Sequence, residues 1–136
     1  MKKMISLLMA FTLFCSLILP VSATGEVQPR YTYVIQVNAD LTFDSAQNIA
    51  TCTGAIAARG QLPVRLLVQL QVLENGNWKP INSRIATGTG MAYSSANYSV
   101  TGGNNYRLVV TGQVLDSDGN VIETVSANRE AYYPAS

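Results

Sequence analysis

The sequence predicts an all-β protein, one antiparallel sandwich of about seven strands, and three observations carry that expectation. First, two long stretches alternate with a period of two. In Val64–Leu73, residues Val64, Leu66, Val68, Leu70 and Val72 fall on one side; in Tyr106–Leu115 the row is Tyr106, Leu108, Val110, Gly112 and Val114. Such a period places one apolar row on one face of a strand. Second, turn chemistry separates the runs: Asn75-Gly76, Gly102-Gly103-Asn104-Asn105 and Asp116–Asn120. Third, no segment keeps a helical period over three turns.

The chain opens on a leader. Lys2 and Lys3 precede an apolar run from Ile5 to Leu19, Pro20 ends it, and Val21-Ser22-Ala23 supplies the small residue at a cleavage point. This is the layout of a secretory signal peptide, residues 1–23, cut after Ala23. The run is short for a retained anchor, which needs about 20 apolar residues. A lipoprotein signal at Cys15 is disfavoured by the bulky Phe14 before it. The mature chain is then expected outside the cell. It shows no sorting motif or hydrophobic tail, so release rather than anchoring is expected. Residues 24–30, with Gly25 and Pro29, read as a flexible lead, and residues 31–136 as the sandwich domain.

Within that domain the elements follow in order. Tyr31–Asn38 alternates with Tyr31, Tyr33, Ile35 and Val37 on one side, and Leu41–Phe43 continues it after a kink. Ser45–Asn48 is a turn. Ile49–Ala57 is a second strand, with Ala50, Cys52, Gly54 and Ile56 sharing a face. Arg59-Gly60 and Pro63 mark a loop before Val64–Leu73. Asn75-Gly76 then predicts a tight hairpin. Trp78–Ile81 pairs back, and Pro80 assigns it to an edge or a sheet switch because proline lacks the backbone donor. Ser83–Ala86 reads as another short strand and Thr87–Gly90 as a breaker. Tyr93–Thr101 is a polar strand anchored by Tyr98 and Val100. After Tyr106–Leu115, Asp116–Asn120 turns the chain with Gly119 at positive φ. Val121–Ala127 pairs back, and the tail from Asn128 extends it. The size and rhythm are those of a single immunoglobulin-like sandwich.

Composition narrows the function. Loss of Lys2 and Lys3 with the leader leaves seven basic residues against eight acids, a formal charge of −1. A near-neutral surface offers no electrostatic footprint for nucleic acid or an anionic membrane. The chain has no histidine, which removes the usual general base and the commonest transition-metal ligand. Cys52 stands alone after leader removal, so cysteine-based zinc sites and an internal disulfide are excluded. It reads as a buried small hydrophobe, with a Cys52-linked dimer as the alternative. The acids sit mostly in turns, lead and tail, and no pair is singled out for hydrolysis. Asp116-Ser117-Asp118-Gly119-Asn120 has calcium-like alternation, but five residues inside a hairpin favour an ordinary turn. Gly88-Thr89-Gly90 lacks the strand-to-helix setting of a dinucleotide fingerprint. Asn97-Tyr98-Ser99 matches a glycosylation sequon that a bacterial host leaves inert. No enzyme and no cofactor are expected.

A second layer of inference comes from motif order. Arg30-Tyr31-Thr32-Tyr33 leads; Thr51-Cys52-Thr53-Gly54, Leu70-Gln71 and Asn75-Gly76-Asn77-Trp78 follow. Asn97-Tyr98-Ser99-Val100, Gly103-x-x-Tyr106-Arg107 and Asp118-Gly119 before Val121-Ile122-Glu123-Thr124 complete the series. This order resembles small secreted proteins of unknown function from Gram-positive bacteria. The layout is also similar to fibronectin type III and bacterial immunoglobulin-like modules, with Tyr106 where those modules carry a strand tyrosine. The resemblance implies a fold and no chemistry.

Two functions remain open. One is a secreted, non-catalytic sandwich acting by protein or cell-surface contact. The other is an extracellular carbohydrate-binding module using exposed tyrosines. A bacteriocin-like factor ranks third. Trp78 and Tyr106 are expected to fill the core edge with polar tips outward. Tyr31, Tyr33, Tyr132 and Tyr133 form an aromatic binding patch if the first and last strands meet. The expected partner is an extracellular protein or glycan, with the protein itself monomeric. In the strand Val64–Leu73, the outward row includes Leu67 and Leu73, which a fully solvated face disfavours, so that face is either covered or used for contact.

Overall fold

A computed structural model describes residues 31–135. The expected leader and the whole of the lead lie outside the described residues. Seven strands follow: β1 (Val34–Asp44), β2 (Ile49–Ala58), β3 (Pro63–Glu74), β4 (Asn77–Thr89), β5 (Met91–Ser99), β6 (Asn104–Leu115) and β7 (Val121–Tyr133). They form two antiparallel sheets, ordered β1-β2-β5 and β4-β3-β6-β7. This is the seven-strand, immunoglobulin-like sandwich that the strand rhythm predicts.

The strongest alternations become the centre of the larger sheet. β3 and β6 lie side by side, with Val64 opposite Val114 and Val72 opposite Tyr106. Their even-numbered rows are buried. Across the core they meet Ala50, Cys52 and Ile56 of β2. Two glycines set how closely the sheets approach. A Cβ on Gly54 would sit 2.6 Å from Val68 Cγ2, and one on Gly112 would sit 2.5 Å from Ile56 Cδ1. Each glycine is the socket for a branched side chain from the opposite sheet.

The Asn75-Gly76 hairpin forms as its chemistry requires. Both residues have positive φ, 52° and 79°, and Glu74 pairs with Asn77 across them. A two-residue loop with two positive φ values follows the natural twist of its strands.

Two expectations are corrected. In β1, Ile35 is exposed while Val34 is buried, and the inward row resumes at Val37, Ala39, Leu41 and Phe43. A bulge between Val34 and Gln36 shifts the parity by one residue, so the irregularity lies at the start of the strand rather than before Leu41. In β4, the two short runs and the breaker are one strand, with Gly88 inside it and the turn at Gly90, φ 75°. Pro80 is accommodated because β4 is a sheet edge, with a register shift beside it. β7 runs from Val121 to Tyr133, the extension expected of the tail from Asn128.

The ends of the sandwich are pinned by side chains. The Tyr106 hydroxyl accepts from the Thr101 N–H at 2.9 Å and donates to the Thr101 carbonyl at 2.9 Å. This closes the corner between β5 and β6, as the strand tyrosine does in such modules. The Tyr133 ring stacks on Phe43, centroids 4.8 Å apart, and its hydroxyl donates to Asn48 Oδ1 at 2.6 Å. At the opposite end, Glu123 Oε1 accepts from the N–H groups of Tyr33 and Val34, and Oε2 from that of Thr32.

Candidate functional site

The first and last strands do run along the same flank, but the four tyrosines do not gather there. Tyr33 lies beside Glu123, whereas Tyr132 and Tyr133 end the same strand, about 30 Å away at ~3.3 Å per residue. Tyr133 is buried in the core and Tyr33 is half-buried against it. Tyr31 and Tyr132 are exposed. The candidate patch therefore divides into two ends of one edge, and two of its members serve the core.

A different cluster forms on the outer face of the larger sheet. Leu73 faces Trp78 across the hairpin, and Asn105 faces Tyr132. Because Val72 pairs with Tyr106, these four residues follow one another in a row across all four strands. In the next row, Gln71 faces Arg107, which faces Glu130. The Arg107 guanidinium lies 4.5 Å over the Trp78 ring. Its Nε donates to Gln71 Oε1 at 2.8 Å, and Nη1 stands 4.0 Å from Glu130. Gln71 Nε2 in turn donates to Gln69 Oε1 at 2.7 Å. A cation held over an indole and fixed by an amide loses little rotamer freedom when a ligand arrives. Toward the other end, Leu67, Ile85 and Arg65 border a hollow of about 130 Å³. Leu67 and Leu73 are thus half-covered by side chains of neighbouring strands, and Ile85 remains largely exposed.

Trp78 does not fill the core edge, and its place was legible. A two-residue turn sets Leu73 opposite Trp78, and Leu73 already belongs to the outward row. The meeting of Trp78 with Arg107 was not legible, because it depends on the register between β3 and β6. Tyr106, by contrast, is buried, with its hydroxyl spent on the corner.

The remaining candidates are structural. Cys52 is buried on the inward face of the middle strand of its sheet, and burial pushes its thiol up to about 11. A bridge to a second chain would require opening the sandwich. Asp116 Oδ1 accepts from the N–H groups of Asn120 and Asp118 at 2.8 and 3.0 Å. These bonds, that of Asn120 foremost, hold its carboxyl below the usual range. The carboxylate is occupied as a turn residue. Glu74 pairs with Lys79 at 3.4 Å beside the hairpin.

No protein-family model matches the chain. No curated protein matches it either. The likeness to small secreted Gram-positive proteins therefore rests on the strand-and-turn motifs alone.

Proposed function

We propose that this is a secreted, non-catalytic binding module that contacts a protein of the cell surface or its surroundings through the outer face of its four-stranded sheet. The observation that carries the reading is the fixed Trp78–Arg107 stack beside exposed Tyr132. Tryptophan, tyrosine and arginine are the residues that dominate protein interface energetics, most of all when preorganised. Arg65 and Arg107 against Glu130 leave this face slightly positive, which favours a partner with an acidic rim. Export rests on the leader-like residues 1–23, and a Gram-positive source on the motif order above.

The test is capture of cell-envelope and culture-supernatant proteins by the full chain, set against Trp78→Ala and Arg107→Ala. A partner retained by the parent and weakened about 30-fold by either variant, roughly 2 kcal/mol, is the expected result. Both variants remove side chains from an outer face, so the core should stay folded. Capture equal in parent and variants would place the contact elsewhere.

A further inference from the structure

The opposite face of the sandwich has a different chemistry. On β1, β2 and β5 the outward residues include no lysine or arginine, and the only charges are Asp40 and Asp44. The rest are hydroxyls, amides and small apolar groups. The register places Asn38, Ala55 and Tyr93 in one row and Gln36, Ala57 and Met91 in the next. Two alanines on the middle strand therefore lie between taller side chains on both flanks. They floor a trough of about 170 Å³, with the two amides on one wall and Met91 on the other. Tyr93 and Met91 are about 60% exposed.

The walls are ordered. Gln36 Nε2 donates to Asn38 Oδ1 at 3.3 Å. Further along the same strands, Thr51 Oγ1 donates to Asn97 Oδ1 at 2.8 Å, and the Thr53 and Ser95 hydroxyls are 3.0 Å apart. The trough thus continues into a rail of fixed hydroxyl and amide groups.

The geometry points to this trough as a binding site for an uncharged polysaccharide chain. A sugar ring has an apolar face, which an aromatic ring and a smooth alanine floor can cover. Its rim carries hydroxyls that both donate and accept, and amide and hydroxyl side chains do the same. The charge pattern selects within the class: Asp40 and Asp44 face outward on these strands, and Arg59, two residues past Ala57, is engaged with Glu123, so the face offers no net positive charge to anionic polymers or nucleic acid. The trough is about 10 Å from wall to wall, two strand spacings. That is too narrow for a standard protein interface of about 800 Å² per partner. This site is separate from the Trp78–Arg107 face and does not rest on the function proposed for it. Together the two would make the domain a bridge between a glycan and a protein.

The experiment is retention of the full chain on cellulose, chitin, xylan and mannan, with polygalacturonate as an anionic control, at low and high salt. Tyr93→Ala removes the exposed ring, and Ala55→Gln fills the floor. Both positions face outward, and circular dichroism and thermal unfolding check that the fold is kept. The expected result is salt-insensitive retention on at least one neutral polymer, weakened about tenfold or more by each variant and unchanged by Trp78→Ala. Failure to bind any neutral polymer overturns the inference. So does retention that Tyr93→Ala and Ala55→Gln leave intact, or a preference for polygalacturonate. Retention lost only in Trp78→Ala would move glycan binding to the other face. The protein-capture result is read independently, so either proposal can fail alone.

Discussion

Glu123 shows how much one side chain can hold. It stands near the start of β7, and its two oxygens collect three consecutive N–H groups leading into β1. Partial desolvation works against its charge. The N–H groups of Val34, Tyr33 and Thr32, with the positive charge of Arg59, outweigh it and hold the carboxyl below the usual glutamate range. A group with a lowered folded pKa stabilises the fold fully above its unfolded pKa, and that stabilisation is lost as the pH falls through the folded value. The parent should therefore lose stability on the acid side, from roughly pH 5 downward. In Glu123→Gln this part of the acid limb flattens. The variant should also be less stable at neutral pH by about 1–3 kcal/mol, because an amide has one acceptor oxygen for three donors. Denaturant unfolding from pH 3 to 7 checks both. Identical acid limbs in parent and variant would remove Glu123 as the cause. Nothing in the sequence marked this residue, since its partners lie about ninety positions away.

At the scale of the element, the clarity of a strand in the sequence follows its distance from the sheet edge. β3 and β6 are central, so their inward rows from Val64 to Val72 and from Tyr106 to Val114 carry no polar residue but the Tyr106 hydroxyl, and their outward rows are mostly polar. Parity is then unmistakable. β1 is an edge strand with a bulge, and Tyr31, Tyr33, Val34 and Ile35 have no contrast to fix which of them face inward. β4 reads as two short runs because Pro80 and Gly88 look like breakers. An edge strand needs donors on only one side and tolerates both. Buried glycines are also partly legible: Gly54 and Gly112 fall on inward rows, but only the packing shows what fills them. That packing predicts an asymmetry. At Gly54 an added methyl meets Val68 and Val110, both stiff β-branched residues. At Gly112 its nearest neighbour is the terminal δ-methyl of Ile56, the far end of a longer side chain, with Ile56 Cγ1 and Val125 Cγ2 at 3.3 Å. Gly54→Ala should cost about 1–3 kcal/mol as overpacking, and Gly112→Ala distinctly less. Adding Val68→Ala to Gly54→Ala should recover part of the loss. A neutral Gly54→Ala, or the reverse order of the two costs, would mean that the sheets are less tightly fitted than this.

For the whole molecule, the issue is what keeps two sheets together without a disulfide. The answer lies in one continuous core between them, pinned at the ends by Tyr106, Tyr133 and Glu123. The two outer faces are left with distinct chemistries, one aromatic and weakly cationic, the other hydroxyl-rich with no cation on its strands. Neither was visible as a surface in the sequence, because each is assembled from three or four strands whose order a single sequence does not state. Cys52 reports on the integrity of the whole. It sits in that core at 1% exposure, so a thiol reagent reaches it only when the sheets separate or when chain opening exposes β2. With its pKa raised to about 11, only about one molecule in a thousand carries the thiolate at pH 8. Native protein should therefore label far more slowly than denatured protein. If opening is global and reclosing outpaces labelling, the rate should rise with denaturant along the same slope as the unfolding equilibrium. Gly54→Ala should then speed labelling by the factor that its stability loss dictates, about tenfold for each 1.4 kcal/mol. Rapid stoichiometric labelling of the native parent would show that Cys52 is reachable from solvent. A labelling rate insensitive to Glu123→Gln, a change on β7 away from β2, despite a measured loss of stability, would show that β2 opens locally, so that the sandwich is not one cooperative unit.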